Sequence, residues 1–592
     1  MASSRRRHSA AKVRGNPGLR WRAALIIAAI AIVYANSLAG PFLLDDDPSI
    51  LNNTQIRQMA TALSPPRDSP VAGQPLVNLS YAVNFAVGEF ETTGYHLVNI
   101  GIHMAAALVL FGLVRRTLLL PSLAGRFGQA SADIALACAL IWGLHPLNSE
   151  AVSYLSARSD ALMGLCYLLT LYGTVRGWQV MPIAACAAGM LCNPSMVTAP
   201  LLVALYERIF VFDSVKEAFR QRRGYYGGLA ATWVLPVVLA VAWPPVPVGA
   251  EPGVTPWLYL MNQTEIVSRY IALSFWPGAL VLDYGAPRML AFGDVVPLGL
   301  VIVALIALTV VALRYVPMAG FLGAAFFVML APTSSLIPMS GAVGAERRMY
   351  LPLAAVMVLV VMLTARELYA APAAPETPRA KAAPDAGSSG VFVFRCALGV
   401  VCLLLATGTV LRNRDYSSRL TMAQTIVERR PHARGRFFLG MELIAAGRKA
   451  DAVSQLQAAA PEYPRARFAL ATELLSEGLP EEALPELQAF LKAVPDHPNA
   501  RYAHDMLGRV YLGQERYAEA VQELRLLESK FPDFRGMNND IEINLGYALA
   551  ASGRYAEALP VIERAIAANP ENLKARDLLA QVRAAAASRP TQ

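Results

Sequence analysis

Residue types that support acid–base and phosphate chemistry recur beside the ends of long apolar segments. They are Asp45, Asp46 and Asp47; His96 and His103; His145 and Glu150; Arg158 and Asp160; Asp283; and Glu346 and Arg347. A carboxylate can take a proton from a hydroxyl group as a general base. Arginine binds phosphate through its charge and its paired donors. Gathered at one membrane interface, such groups predict a site for group transfer.

Each of these residues also has a structural interpretation. A carboxylate in a loop is usually just solvated, and loop histidines more often cap helices or bond the backbone than catalyse. The aspartate run can cap a helix N-terminus, because Asp accepts from free backbone amides. The interpretation as a site therefore depends on whether the protein brings these residues together.

The elements that must position them are transmembrane helices. Hydrophobic residues make up 55% of the 592 residues and charged residues only 16%, whereas a soluble chain has roughly a quarter charged residues. A membrane span needs roughly 20 apolar residues, and the apolar segments of about this length predict about eleven transmembrane helices. They are 22–40, 97–119, 131–148, 158–175, 179–193, 195–211, 225–243, 295–314, 317–336, 350–366 and 391–411. The stretch 257–283 is apolar but contains Glu265 and Arg269, and we expect it to be interfacial or re-entrant.

The basic residues set the orientation of these spans. With residues 1–21 as a basic cytoplasmic N-terminus, cytoplasmic segments hold about three times as many Lys and Arg residues as external ones, as the positive-inside rule requires. The net charge of +9 therefore reflects membrane orientation, and we expect no nucleic-acid partner. The segment 370–390 is predicted to be a flexible cytoplasmic linker before the last span. Every polar motif then falls on the external side, and so does the region after residue 411.

The region from 412 to 592 has the composition of a soluble domain with an internal repeat. From about residue 433, small residues recur in the first helix of each unit, small residues recur in the second, and prolines close the units. These positions are Gly440, Ala471, Gly508 and Gly546; Ala452, Ala483, Ala520 and Ala558; and Pro464, Pro495, Pro532 and Pro570. The pattern predicts about four tetratricopeptide (TPR) repeats, nominally of about 34 residues, forming an α-solenoid with a capping helix.

Several motifs resemble one known family. The stretches are FLLDDDPSILNN, QPLVNLSYAVNFAVGEFETTGYHLVNIGIH, HPLNSEAVSYLSARSD, NPSMVTAPLL, LVLDYG and LIPMSGAVGAERRMYLPLAA. In order and spacing they are similar to the transmembrane and tetratricopeptide-repeat-containing O-mannosyltransferases and their bacterial relatives. The resemblance implies an all-α fold: a GT-C membrane glycosyltransferase bundle over 22–411, followed by a TPR solenoid.

The resemblance also implies roles for individual residues. Asp45 and Asp46 match the family's acidic pair, from which we expect the catalytic base. The residues expected to bind donor phosphate or substrate are Arg347, Glu346, Arg158, His103, His145, Glu150, His96, Asp160 and Asp283. Two positions depart from the family: Gln74 replaces an arginine and Asn193 replaces a lysine. Both lost cations could have bound donor phosphate.

The implied function is a protein O-glycosyltransferase, a mannosyltransferase, that uses a polyprenyl-phosphate sugar. It would act on Ser and Thr of exported proteins, with the repeats holding the acceptor or a partner protein. We expect no cofactor and no metal, although an acidic pair could bind a divalent cation. Two alternatives remain: a sugar transferase to lipid or cell-wall glycan, and a non-catalytic anchor for the repeats. The expected location is a bacterial inner membrane, among whose lipids the spans sit, with the repeats in the periplasm.

Overall fold

The computed structural model describes residues 17–244, 254–335, 342–368, 386–535 and 540–587. Within these ranges the chain is helical and contains no strand. It divides into two compact units, Met1–Arg430 and Pro431–Gln592. The predicted all-α fold class, with apolar helices followed by a TPR solenoid, is confirmed.

The first unit contains helices α1 to α18 within its described residues. They are α1 (Pro17–Tyr34), α2 (Pro75–Gly88), α3 (Thr92–Leu118), α4 (Pro121–Phe127), α5 (Ser131–Gly143), α6 (Ser149–Ser153), α7 (Arg158–Val175), α8 (Val180–Met190), α9 (Ala199–Phe210), α10 (Val215–Gln221), α11 (Arg223–Ala231), α12 (Val234–Ala242), α13 (Pro256–Phe275), α14 (Phe292–Tyr315), α15 (Pro317–Leu330), α16 (Tyr350–Leu368), α17 (Ala386–Arg414) and α18 (Arg419–Arg429). Short 3-10 turns occupy Ala35–Ser37, Thr54–Arg57, Pro146–Asn148, Leu155–Ala157, Pro194–Thr198 and Glu346–Met349, and a π turn occupies Asp47–Leu51.

Each predicted span overlaps a helix or a pair of helices. Six helices in the described residues are long and apolar enough to cross a membrane, or up to seven if α9 and α10, bent by 109°, count as one span. Three more apolar helices, α5, α8 and α15, are shorter. The count of about eleven stays a prediction, and so does the interfacial placement of 257–283, most of which forms α13.

Two boundaries differ from those predicted from sequence. Most of the proposed linker 370–390 lies outside the described residues, but α17 already begins at Ala386. At the other end of this helix, α18 belongs to the first compact unit, so residues 412–430 lie with the membrane helices rather than with the repeats.

The core of the first unit includes an aromatic cluster where α3, α5 and α16 meet. The rings of Trp142 and Tyr350 lie 4.9 Å apart, as do those of His103 and Trp142. The Trp142 indole N–H donates to the Tyr350 carbonyl at 2.8 Å. A Cβ on Gly164 would lie 2.6 Å from the Tyr350 ring, so the glycine lets α7 approach α16 closely. This packing fixes the N-terminal end of α16, which the Glu346–Met349 turn precedes.

The second unit is a series of paired helices. They are α19 (Ala433–Ala445), α20 (Lys449–Ala459), α21 (Pro464–Ser476), α22 (Pro480–Ala493), α23 (Ala500–Gly513), α24 (Tyr517–Lys530), α25 (Pro532–Arg535), α26 (Asp540–Ala551), α27 (Tyr555–Ala568) and α28 (Leu573–Ala587). The predicted small residues lie where the helices of a pair touch. A Cβ on Gly508 would be 2.7 Å from Leu524, and Ala520 is fully buried.

Candidate active site

Asp46 ties its own loop to the turn before α7. Its side chain is fully buried. One carboxylate oxygen accepts from the Leu43 N–H at 2.8 Å, and the other accepts from the N–H and the hydroxyl of Ser156 at 2.7 and 2.5 Å. Burial raises the pKa of Asp46 to about 7, although these hydrogen bonds oppose the rise. Through these three hydrogen bonds Asp46 holds the loop against the turn at Ser156.

Asp45, one residue earlier, has a different environment. Its backbone N–H donates to the Tyr154 hydroxyl at 2.8 Å, and its side chain is half-buried. Within the described part of the chain its carboxylate accepts no hydrogen bond and forms no salt bridge. Its charge acts on Tyr154 and Arg347. Of the two candidate bases, Asp45 is therefore the one with an unengaged carboxylate.

The backbone that carries Asp45 is in an unusual conformation. Leu44 has φ of +35°, in the left-handed region that costs a non-glycine residue on the order of 1–3 kcal/mol. The surrounding contacts must supply that energy. The hydrogen bonds of Asp46 to Leu43 and Ser156 stabilise this conformation from inside the loop. Asp47 stabilises it from the other side, where its carboxylate forms a bidentate salt bridge with Arg419 at the start of α18.

Arg347 is held by a buried carboxylate. Glu150 has no exposed side-chain surface; its oxygens accept from the Arg347 backbone N–H at 3.0 Å and from the Arg347 guanidinium. The guanidinium also lies 3.6 Å from Asp160. Asp160 accepts from the Asn193 amide at 3.2 Å, so the residue at the family's lysine position bonds a site carboxylate. Arg347 remains partly exposed, with 27% of its side chain accessible.

Arg347 and Asp160 line a small pocket, called the polar pocket below, whose wall also includes Ser195 and Thr333. Arg348 lines it as well, and its guanidinium donates to neutral oxygens only: the Tyr259 hydroxyl and the carbonyls of Thr333, Val343 and Ala342, at 3.1–3.3 Å. It has no carboxylate partner among the described residues. Arg347 therefore lies against two carboxylates, Glu150 and Asp160, whereas the hydrogen-bond partners of Arg348 are neutral.

An apolar groove lies next to the polar pocket. The two share Tyr167, Met329 and Leu351 in their walls. Along α16 the groove lining extends from Leu351 to Met362, about 16 Å at the helical rise per residue. An amphiphile with a charged head and an apolar tail has the chemistry that matches this pair of cavities.

Arg158 does not reach the pocket. It is fully buried and binds α2 and α3 to the start of α7. Its guanidinium donates to neutral groups: the side chains of Asn99, Asn84 and Ser80 at 2.6, 2.7 and 3.2 Å, and the Tyr95 carbonyl at 3.0 Å. With these donors engaged, Arg158 packs α2 and α3 against α7, and the phosphate contact expected from sequence stays a prediction.

The three histidines are buried and bond the backbone. His96 contacts the Gly40 carbonyl at 3.1 Å through Nε2. His103 contacts the Gly143 carbonyl and the Tyr350 hydroxyl, both at 2.9 Å, inside the aromatic cluster. His145 accepts from the Leu147 N–H at 3.2 Å and so caps the following turn. Each histidine thus makes the backbone contact of the structural interpretation, and none of the three lines the polar pocket. Their expected role at the donor stays a prediction.

Glu346 and Asp283 lie behind the pocket. Glu346 is fully buried and accepts from the Val281 N–H at 2.5 Å, the Tyr284 hydroxyl at 3.2 Å and the Arg412 guanidinium at 3.3 Å. Asp283 accepts from the Gly285 N–H at 2.9 Å, which shapes its own turn. Glu346 therefore holds the loop at 280–285 against the Glu346–Met349 turn, and Asp283 shapes that loop.

The structure thus brings together Asp45, Glu150, Asp160 and Arg347 from the predicted set. Sequence analysis missed Tyr154, Arg348, Arg412 and Arg419. Arg348 could have been found as the second arginine of the ERRM stretch, whereas the pairings of Arg412 and Arg419 carry no local signal. Gln74, the other departure from the family, donates to the Pro70 carbonyl at 3.1 Å and precedes α2.

Among the residues that the structure describes, no group of three or more His, Cys, Asp or Glu side chains is arranged to hold a metal ion. The metal-free reaction stays a prediction.

Comparison with known proteins finds both tetratricopeptide repeats and O-mannosyltransferases. Two tetratricopeptide repeat family models match residues 468–533 and 540–582. Protein O-mannosyl-transferase Tmtc1 of Drosophila melanogaster is 34% identical over 192 residues, which is 29% of this chain and 21% of that protein. Protein O-mannosyl-transferase Tmtc2 of the same species is 32% identical over 202 residues, 30% of this chain and 20% of that protein. The resemblance to the TMTC protein O-mannosyl-transferase family is thereby confirmed.

The matched region spans about a fifth of the length of these TMTC relatives. An alignment with a solved structure, the crystal structure of the APC/C hetero-tetramer Cut9-Hcn1, covers 89% of this chain and 99% of that one at 12% identity, with a TM-score of 0.25. Together with the apolar helices, the TMTC resemblance makes this chain a multi-pass membrane protein with TPR repeats.

Proposed function

We propose that this protein is a membrane O-mannosyltransferase that moves a sugar from a polyprenyl phosphate to Ser and Thr hydroxyls of exported proteins. One observation carries the proposal: the pocket lined by Arg347 and Arg348 lies next to an apolar groove and shares wall residues with it. A lipid-linked sugar phosphate needs both, because its phosphate requires cations and its chain requires an apolar channel within the bundle. The names of the TMTC relatives supply the reaction class and the acceptor.

The donor phosphate is proposed to sit between Arg347 and Arg348. Glu150 fixes Arg347 from behind, so its guanidinium keeps one orientation as the phosphate arrives. Arg348 supplies a second guanidinium, whose own hydrogen-bond partners are neutral oxygens. As the sugar leaves, negative charge grows on the phosphate oxygens, and preoriented cations stabilise that charge most in the transition state.

Asp45 is proposed as the general base. The acceptor hydroxyl gives its proton to the Asp45 carboxylate as its oxygen bonds to the anomeric carbon. The bond between that carbon and the phosphate oxygen breaks, and the leaving polyprenyl phosphate keeps the electron pair. Asp45 is suited to this step because its carboxylate is unengaged and its charge acts on Arg347. A positioned base contributes about 10²–10⁴ in rate.

The TPR unit is proposed to hold the acceptor polypeptide or a partner outside the cytoplasm. The charge bias of the loops supports that side of the membrane. The composition of the chain supports a bacterial inner membrane, with the repeats in the periplasm.

The test is transfer by the purified full chain in liposomes. A polyprenyl phosphate carrying labelled mannose is the donor, and exported proteins from cells lacking the chain are the acceptors. Arg347→Ala and Arg348→Gln should each lower transfer at least tenfold, because each removes charge stabilisation from the leaving phosphate. The matched control is Arg57→Gln, which should transfer like the parent: Arg57 is exposed, and its guanidinium contacts the Leu51 carbonyl and the Phe90 ring and does not line the pocket.

The destination of the label separates the proposal from its alternatives. Label in Ser- or Thr-linked glycopeptides supports it. Label found only in lipid or glycan fractions would mean that the acceptor is a lipid or a glycan. If the folded parent chain transfers no label, a non-catalytic anchor is favoured.

A further inference from the structure

The segment that follows the last span is built into the outer face of the membrane unit. Near the end of α17, Thr409 donates to the Leu144 carbonyl at 2.7 Å. Asn413 then donates to the Val33 carbonyl at 3.2 Å and accepts from the Ser153 hydroxyl at 2.9 Å. These bonds reach the outer ends of α1, α5 and α6. The chain therefore leaves its last helix in a fixed position beside the candidate site.

Arg419, the first residue of α18, contacts both ends of the aspartate loop. Its Nε donates to the Phe42 carbonyl at 2.9 Å. Its two terminal nitrogens donate to the two oxygens of the Asp47 carboxylate. One planar guanidinium thus closes the six residues from Phe42 to Asp47, a geometry that arginine provides and lysine does not.

The residue that this clamp encloses is Asp45. Immediately before it, Leu44 is held at φ of +35°, a conformation that a leucine leaves unless its neighbours hold it. Asp46 fixes the loop from inside, through Leu43 and Ser156. Arg419 fixes it from outside, through Phe42 and Asp47. The direction of the Asp45 carboxylate depends on both.

We infer that Arg419 is a positioning residue for Asp45, so that the catalytic unit extends past the last membrane span into α18. The inference rests on the proposed role of Asp45 as the base. It assigns no contact between Arg419 and either substrate: Arg419 acts through the shape of the loop alone.

Its consequence is a specific kinetic signature. Without the clamp, the loop can relax at Leu44 and displace the Asp45 carboxylate from the acceptor hydroxyl. A displacement of about 1 Å can lower a rate about 100-fold. The donor pocket is formed by other elements, chiefly Arg347, Arg348 and α16. The turnover rate should therefore fall while donor affinity stays the same.

The experiment compares Arg419→Gln with Arg429→Gln in the full chain in liposomes. Arg429 is a matched control on the same helix: its side chain is 34% exposed against 35% for Arg419, and it bonds Asp415 and the Leu280 carbonyl instead of the aspartate loop. Labelled polyprenyl-phosphate mannose is the donor, and exported proteins are the acceptors. Rates are expressed per bound donor, so that misfolded protein does not count.

Arg419→Gln should lower kcat about 10- to 100-fold with an unchanged donor KM, and Arg429→Gln should leave both near the parent values. Arg419→Lys should recover only part of the loss, because one ammonium cannot bind both carboxylate oxygens and Phe42. Asp47→Asn should lose about as much as Arg419→Gln, and the double variant no more than either, because the two residues act as one device.

Distinct outcomes separate the inference from the proposal beneath it. A parental kcat for Arg419→Gln while Asp45→Asn is inactive overturns the positioning role alone. Equal losses of kcat in Arg419→Gln and Arg429→Gln also overturn it, because any contact that holds α18 in place would then have the same effect. If Asp45→Asn itself transfers at the parental rate, the proposed base is wrong and the inference falls with it.

Discussion

Replacing the two neighbouring aspartates by asparagine should produce two different defects. Asp46 accepts three hydrogen bonds through its two oxygens, from Leu43 on one side and Ser156 on the other. Asparagine has one oxygen and one amide. In either orientation of the side chain, the amide N–H group faces a donor that has lost its acceptor.

The size of the Asp46→Asn effect follows from that geometry. A buried donor without an acceptor costs about 1–3 kcal/mol, and the Leu43 N–H is buried. Asp46→Asn should therefore lower the free energy of unfolding by about that amount. Asp45→Asn removes no hydrogen bond of the carboxylate within the described structure, so its unfolding free energy should stay within about 0.5 kcal/mol of the parent.

Asp45→Asn should lose more activity than Asp46→Asn, although Asp46→Asn loses more stability. Asp45→Asn removes the proposed proton acceptor and should lower the rate about 10²–10⁴-fold at nearly unchanged stability. Asp46→Asn should lose activity chiefly in step with its folded fraction. The assay pairs thermal unfolding in detergent with transfer from labelled polyprenyl-phosphate mannose, at equal amounts of folded protein.

One pattern would refute this division of roles. If Asp45→Asn transfers like the parent while a fully folded Asp46→Asn is inactive, the buried residue is the base. The assignment from free and engaged carboxylates would then be reversed.

Three further predictions concern topology, the repeats and the groove. A reporter active only outside the cytoplasm should work when fused after residue 592 and stay silent when fused within 370–390; the reverse would contradict the orientation. In the isolated fragment 431–592, Ala520→Trp should cost about 1–3 kcal/mol by overpacking a fully buried position, as seen in thermal melts, whereas the exposed Ala518→Trp should melt like the parent. Ala354→Trp should fill the apolar groove and raise the KM for donor, while Ala307→Trp on the exposed side of α14 should not; equal KM values would remove the groove from donor binding.

The sequence contained the information for the elements and for part of the site. Long apolar runs predicted the membrane helices, because a span must be apolar along most of its length. The recurring small residues predicted the repeats, because paired helices meet at those positions, as Gly508 and Leu524 do. Proximity of Asp160 and Arg347 could be expected once both were placed on the external side.

The division of roles within the site could not be predicted in the same way. Asp45 and Asp46 are adjacent and chemically identical, and only the turn at Leu44 decides which carboxylate is buried. Arg158 was expected at phosphate, but its partners are neutral side chains on other helices. Arg419 meets Asp47 across 372 residues of chain, a pairing for which a single sequence gives no signal.

The most direct test of the account is glycopeptide mass spectrometry of exported proteins from cells that make the parent chain, the Asp45→Asn chain or neither. Membrane levels of the two chains must be equal. The account predicts hexose on Ser and Thr residues only in cells with the parent chain. Identical hexose modification in all three samples, or in the parent and Asp45→Asn samples alike, would contradict it.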